Sequence, residues 1–115
     1  MSIVDVQLLQ DRLDVVDTVY RYASTIDAFD TAGLRSIFAD DLWAQYGNGS
    51  PIIGGDAVAE RIWKGVANYA WQHHLLSVYH TTIDGDGASA LAYHTSHQIE
   101  KDDLSNVLML IGRYH

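Results

Sequence analysis

The chain has 115 residues, 48% of them hydrophobic and 19% charged, which fits one globular domain and excludes a disordered chain. Its formal net charge of −8, with only seven lysines and arginines, disfavours nucleic acids and anionic lipid surfaces as partners. The sequence contains no cysteine for disulfides or thiolate metal sites, and no apolar run approaches the roughly 20 residues of a transmembrane helix. Residues 1–10 carry no lysine or arginine, unlike a secretory signal peptide. We therefore expect a cytoplasmic protein whose partners are small molecules or other proteins.

Two helices are predicted in the first 40 residues. Between residues 5 and 27, apolar side chains recur at steps of three and four, the period of an amphipathic helix. Asp30 can cap a second, short helix that extends to Phe38. The side chains expected on the buried side of this second helix are Leu34, Ile37 and Phe38.

Short strands and a third helix are predicted next. Residues 42–46 have strand character, and residues 47–49 favour a tight turn because glycine and asparagine accept positive φ. A short edge strand at residues 52–53 precedes a break at residues 54–56, which starts a helix that runs to about Ala70. The residues expected on one face of this helix are Val58, Ile62, Val66 and Tyr69.

The last 43 residues change to the two-residue period of strands. A strand over residues 74–83 is followed by the sequence Asp-Gly-Asp-Gly at 84–87, which is typical of a hairpin turn. A second strand over residues 88–99 and a turn at 101–103 lead to a third strand over 106–114. Helices in one half and antiparallel strands in the other indicate an α+β domain.

The hairpin turn predicts which histidines share a face of the sheet. With a loop of two or of four residues at 84–87, His74 lies opposite His97, and His94 lies opposite Ser77. Directly opposed residues project from the same face, so His74 and His97 are expected to meet. A β-bulge in either strand would shift this pairing by one residue. Each histidine also has a plain alternative as a structural or surface residue.

Asp27 is the candidate carboxylate of the predicted pocket. It stands at the end of the first helix, in step with the buried residues of that helix. A carboxylate that faces inward needs a partner, or its pKa is raised. The alternative is an exposed aspartate at a helix end, bonded to the turn that follows.

Five segments of the sequence together form a pattern of motifs: residues 22–30 (YASTIDAFD), 34–41 (LRSIFADD), 54–59 (GGDAVA), 73–86 and 112–115 (GRYH). Their order and spacing resemble the SnoaL-like families of the nuclear-transport-factor-2-like (cystatin-like α+β cone) superfamily. The resemblance covers nearly the whole chain and implies a single domain over residues 1–115. It also implies a curved, mostly antiparallel sheet wrapped around a pocket, with three helices in the N-terminal half.

The sequence departs from this family at its C-terminal end. Members usually continue past the Gly-x-Tyr element into a last strand with a tryptophan, and this sequence stops before it. Whether it is truncated or naturally short stays open. In both cases we expect an exposed sheet edge, which a partner subunit could cover, and the loss of pocket residues from that strand. We therefore expect a homo-oligomer, either a dimer or a trimer.

The resemblance also implies roles for individual residues. In scytalone dehydratase, an aspartate that closes the first helix is followed 19 positions later by a strand tyrosine, the separation of Asp27 and Tyr46. The two pocket histidines of that enzyme match His74 and His97, the latter again followed by glutamine. The Asp–His pair of hexachlorocyclohexane dehydrochlorinase maps onto Asp27 and His74, and the oxyanion tyrosine of ketosteroid isomerases maps onto Tyr22.

These correspondences imply a cofactor-independent lyase or isomerase in which Asp27 orients and polarises His74 as the base. Proton abstraction beside a carbonyl, followed by loss of water or halide, suits a histidine and requires no metal. The residues expected to contact the substrate are Tyr22, Tyr46, His97 and Trp43. Two other classes stay open: a non-catalytic subunit similar to the β subunits of ring-hydroxylating dioxygenases, and a ligand-binding module without turnover.

Overall fold

A computed structural model describes residues 5–115, and the prediction for residues 1–4 lies outside this range. The elements in chain order are α1 (Val6–Asp27), α2 (Thr31–Ser36), β1 (Trp43–Ala44), β2 (Ile52–Ile53), α3 (Gly55–Val66), β3 (Tyr69–Asp84), β4 (Gly87–Glu100) and β5 (Val107–Tyr114). Among the described residues, β1 pairs with β2, and β3, β4 and β5 form a three-stranded antiparallel sheet. The α+β prediction is confirmed. No helix within residues 5–115 is long and apolar enough to cross a membrane.

Two predicted helix ends are wrong by a few residues. Helix α2 ends at Ser36 instead of Phe38, because the N–H of Ile37 turns back to the carbonyl of Leu34 and closes the helix. Helix α3 ends at Val66, because β3 pairs with β4 from Tyr69 onward. The mostly apolar residues 66–70 fit either a helix or a strand, and the long-range pairing of Tyr69 with Glu100 decides for the strand.

The end of α1 determines the position of Asp27. Phe29 adopts a left-handed conformation with φ of 53°, and its N–H and that of Asp30 bond to the carbonyls of Ile26 and Thr25. This is a Schellman-type helix end, which stops the helix sharply. Asp30 then caps α2 as predicted, because its side chain accepts a hydrogen bond of 2.9 Å from the N–H of Gly33.

The core lies between the three helices, where Ile26, Leu34, Val58 and Ile62 are buried together. Helix α1 also packs against β3. We call the face of the three-stranded sheet that carries His74 toward α1 the inner face, and we call the opposite face the outer face. The residues of β3 and β4 on the inner face include Gln72, His74, Leu76, Ala92, His94, Ser96 and Gln98.

One irregularity in the hairpin determines which side chains reach the inner face. The loop has two residues, and the predicted pairing holds from the turn to His80, which pairs with Leu91. A β-bulge between Val78 and His80 then adds one residue to β3, so that the pairing is shifted by one position from there to Trp71. A shift of one residue changes which side chains meet on each face.

The bulge corrects the predicted histidine pairing. His97 pairs with His73, and the Nε2 atom of His73 lies 2.9 Å from the Nδ1 atom of His97. His74 pairs with Ser96 instead. Because His73 and His74 are consecutive in a strand, they project from opposite faces, and His97 lies on the outer face with His73. The prediction that His74 and His97 share a pocket was wrong.

Candidate active site

Asp27 and His74 are in direct contact at the junction of α1 and β3. The Nδ1 atom of His74 lies 2.6 Å from Oδ1 of Asp27, and the backbone N–H of His74 donates to Oδ2 at 2.9 Å. The side chain of His74 is 11% exposed, and that of Asp27 is 23% exposed. An ionised carboxylate only accepts hydrogen bonds, so the neutral imidazole carries its proton on Nδ1. The lone pair on Nε2 is then free to take a proton from another molecule.

A buried glutamine joins the end of α1 to the strand that carries His74. Gln72 is 3% exposed, and its side-chain amide donates to the backbone carbonyl of Ile26 at 3.2 Å. It lies two residues before His74 on the same inner face, so the contact fixes the helix end beside the sheet. Gln72 is absent from the predicted site residues because the predicted strand starts at His74, whereas β3 starts at Tyr69.

A second histidine of the inner face, His94, stands beside the pair. Its ring centroid lies 6.2 Å from that of His74, and its ring stacks on Tyr114 with centroids 4.6 Å apart. Burial, and then the charge of His74, lower the pKa of His94 below its ordinary value. Its buried Nδ1 atom has no hydrogen-bond partner among residues 5–115. His94 was predicted to lie opposite Ser77, but because of the bulge His94 pairs with Leu76.

Gly112 leaves the space that the His94 ring occupies. It pairs with His94 across β4 and β5, and a Cβ atom at position 112 would lie only 2.7 Å from Nε2 of His94. Gly112 and Tyr114 are two residues apart, so both lie on the inner face. In the Gly-x-Tyr segment, Gly112 thus leaves space for the His94 ring, and the Tyr114 ring stacks on the His94 ring.

Three tyrosines bring hydroxyl groups to the same region. The hydroxyl oxygens of Tyr22 and Tyr46 are 3.0 Å apart, and the rings of Tyr22 and Tyr114 meet edge to face with centroids 5.5 Å apart. Burial raises the pKa of Tyr22, and the nearby Tyr46 raises it further. Burial also raises the pKa of Tyr46. The pKa of Tyr114 is raised to about 12, mainly by burial and further by the nearby Tyr46 and Asp27. The three hydroxyls therefore stay protonated. Because Tyr22 and Tyr46 bond to each other, one of the two donates within this pair, and the other keeps its proton free for another acceptor.

Two predicted substrate contacts lie outside this cluster. His97 is on the outer face, as described above. Trp43 is 58% exposed and pairs with Ile53 in the two-stranded sheet, and its neighbour Ala44 packs against the core. Since neighbouring strand residues alternate, Trp43 points away from that core, and its substrate contact stays a prediction. Among the described residues, no three His, Cys, Asp or Glu side chains converge as metal ligands.

We define the inner-face cluster as Asp27, His74, His94, Tyr22, Tyr46 and Tyr114. It joins a carboxylate-bound imidazole, a second imidazole with a lowered pKa and three protonated phenols. Such a set can accept a proton at one point and donate hydrogen bonds to a developing oxyanion at another.

Comparison with known proteins assigns the fold and the family. The sequence matches the SnoaL-like domain family over residues 7–115, and the chain belongs to that family. A candidate aromatic ring hydroxylase from Novosphingobium aromaticivorans is 26% identical, with a TM-score of 0.80 over 92% of this chain and 76% of that chain. A search of the curated proteins found no match.

More distant structures show the same fold. A candidate scytalone dehydratase from Novosphingobium aromaticivorans has a TM-score of 0.81 at 15% identity, covering 92% of this chain and 71% of that chain. A candidate polyketide cyclase from Xanthomonas campestris has a TM-score of 0.67 at 17% identity, covering 89% of this chain and 78% of that chain. These similarities confirm the predicted nuclear-transport-factor-2-like fold.

Proposed function

We propose that the chain is a cofactor-independent lyase or isomerase that uses Asp27 and His74 as a base dyad on a small cyclic organic substrate. The observation that carries the proposal is the 2.6 Å contact between Asp27 and His74 at the inner face. The family and its dehydratase-like and cyclase-like neighbours support the same class of chemistry.

The dyad suits abstraction of a proton from a carbon beside a carbonyl. The C–H bond breaks, the proton passes to Nε2 of His74, and the electron pair forms an enolate. Asp27 stabilises the imidazolium that results and holds the ring in orientation. In a lyase the enolate electrons then expel hydroxide or halide from the next carbon. In an isomerase the same proton returns at another carbon.

The tyrosines suit the other end of the reacting system. Because the pKa of Tyr22 and that of Tyr46 are raised, both hydroxyls are neutral, and the one that accepts within their mutual hydrogen bond keeps a proton to donate to a substrate oxygen. Donors that already point to the site of a developing enolate oxygen lower the barrier without reorganisation. His94 is kept neutral by its lowered pKa and can bind a polar group of the substrate without adding a positive charge.

A second candidate is a non-catalytic ligand-binding or assembly subunit, similar to the β subunit of a ring-hydroxylating dioxygenase. One observation favours it: the neighbour at 26% identity is described as a candidate aromatic ring hydroxylase. A purely structural subunit could fill the inner face with apolar side chains, and burying a carboxylate and two imidazoles instead has a cost. For this reason we prefer the enzyme. We also propose that the chain works as a homo-oligomer, with no nucleic acid partner.

Solvent exchange tests the enzyme proposal without knowledge of the natural substrate. A panel of small cyclic ketones is incubated with the protein in heavy water, and incorporation of deuterium beside the carbonyl is measured. We expect exchange with at least one member, and a loss of at least about 100-fold in His74→Ala and Asp27→Asn. The thermal midpoint should stay nearly unchanged in both variants.

His80→Ala is the matched control, because His80 is an exposed histidine of the same strand. It should keep the wild-type exchange rate. Binding of a panel member without exchange would support the second candidate instead. Equal losses in His80→Ala and His74→Ala would contradict a specific role of the dyad.

A further inference from the structure

Three side chains that can ligate a metal ion form a row across the outer face of the three-stranded sheet. His73 in β3 pairs with His97 in β4, and His97 pairs with Met109 in β5. Directly opposed residues share a face, so two imidazoles and one thioether project into the same space. The two histidines are half-buried, and Met109 is 62% exposed. The proposed reaction uses none of the three, because it takes place on the inner face.

The β-bulge in β3 brings this row together. Without the extra residue between Val78 and His80, His97 would pair with His74, the histidine of the dyad. The bulge shifts the pairing by one position, so that His97 meets His73 instead. Bulges recur in proteins where a strand has to redirect a side chain. The same irregularity therefore separates the dyad from His97 and creates a second histidine pair on the outer face.

The two imidazole rings of this pair already face each other through nitrogen atoms. Nε2 of His73 lies 2.9 Å from Nδ1 of His97, and the ring planes meet at 88°. Two neutral imidazoles in such a contact share one proton between the two nitrogens. A metal ion can take the place of that proton, which then moves through solvent to the outward nitrogen of its own ring. Both rings stay neutral, and each offers a lone pair to the ion.

The geometry of the pair is close to that of two ligands on one ion. Two nitrogens on a tetrahedral ion, each about 2.0 Å from it, are roughly 3.3 Å apart. The rings of His73 and His97 therefore need to separate by only a few tenths of an ångström. The ring of Trp71 packs edge-on against His73 with centroids 4.8 Å apart, which restricts rotation of that imidazole.

The surroundings of the pair favour a cation. The outer-face residues before and after it along β3 and β4 are uncharged: Trp71, Leu75, Thr95 and Ile99. An ion between the two rings therefore meets no lysine or arginine at these four positions. The net charge of −8 attracts cations to the chain as a whole.

Met109 determines which ion suits the site. The Cβ atoms of directly opposed residues lie about 4.5–5.5 Å apart, and methionine has three rotatable bonds, so the Met109 sulfur can reach an ion bound beside His97. A thioether is a soft ligand that selects copper(I), whereas imidazole alone accepts zinc, copper, iron or nickel. Two imidazoles and one thioether thus favour copper(I) over zinc.

We propose that His73, His97 and Met109 bind one copper(I) ion on the outer face of the sheet. The ion is held by Nε2 of His73, Nδ1 of His97 and the thioether sulfur of Met109. This site is independent of the Asp27–His74 dyad. Failure of the exchange experiment would not affect it, and failure of copper binding would not affect the dyad.

Competition with bicinchoninate, a coloured chelator of copper(I), tests the site on the full chain in an oxygen-free, reducing buffer. We expect the wild type to bind one equivalent, and His73→Ala and His97→Ala each to lower the affinity at least about 100-fold. Met109→Leu should lower the affinity for copper(I) by about tenfold or more and leave that for Zn²⁺ unchanged, because only copper(I) uses the sulfur. His80→Ala is the matched control and should bind as the wild type does.

NMR of the histidine rings locates the bound ion, since copper(I) is diamagnetic. The ring signals of His73 and His97 should shift on addition of one equivalent, and those of His94 should not. Circular dichroism checks that each variant folds, and His97→Gln is the second change if His97→Ala does not. A wild type that binds no copper(I) would overturn the proposal. So would wild-type affinity in the folded His73, His97 or Met109 variants, or loss of binding in His94→Ala, which would place the ion on the inner face.

Discussion

In an ordinary half-buried sheet the buried face is apolar and the solvent-exposed face is polar. The three-stranded sheet of this protein shows the reverse pattern on part of each face. Its inner face buries Gln72, Ser96 and Gln98 and holds the Asp27–His74 contact, and its outer face exposes large apolar side chains. Burying a polar group costs free energy unless the group is hydrogen-bonded, and a contiguous exposed apolar patch is uncommon on a soluble monomer. The comparison indicates that the two faces are under different constraints: the inner face holds the candidate active site, and the outer face presents apolar side chains to solvent.

The largest effect that separates the two faces is expected at position 112. Gly112→Ala places a methyl group 2.7 Å from Nε2 of His94 and must displace that ring. A displacement of about 1 Å in an active site lowers the rate by roughly 100-fold. The exchange rate and the ring NMR signals of His94 should both change. The neighbouring outer-face variant Ile111→Ala should leave both at their wild-type values, and equal effects of the two variants would break the comparison.

A smaller effect is expected from the titration of His94. Its pKa is lowered in the folded state, so the unfolded chain binds a proton more readily, and stability falls as the pH falls below about 6.5. The loss is complete only below the folded pKa. In His94→Phe the free energy of unfolding at pH 7.5 and at pH 5.5 should differ by less than in the wild type. Urea denaturation at both pH values measures the free energy of unfolding. If the difference between the two pH values were as large in His94→Phe as in the wild type, groups other than His94 would cause the pH dependence.

Much of this fold is predictable from local patterns. The three-residue and four-residue steps of α1, the capping role of Asp30 and the turn after Asp84 follow from short-range chemistry, and the structure confirms all three. The resemblance to the SnoaL-like families placed Asp27 and His74 together, and their side chains are in contact. These features depend on residues close in sequence or on a motif with fixed spacing.

The remaining errors have physical causes that a single sequence hides. The bulge near Tyr79 leaves the alternation of side chains almost unchanged, so no local signal shows that His97 belongs with His73. A polar residue such as Gln72 is expected at the surface from its type alone, although Gln72 is buried beside α1. His94 was consequently missed as a neighbour of the dyad.

The state of the His74 ring tests the account most directly. Long-range proton–nitrogen NMR at pH 8 identifies which ring nitrogen carries the proton. We expect the wild-type ring to be protonated on Nδ1, toward Asp27, with Nε2 free, and we expect Asp27→Asn to weaken this preference. A His74 ring protonated on Nε2 in the wild type would contradict the account, because the nitrogen assigned to take the substrate proton would already hold one.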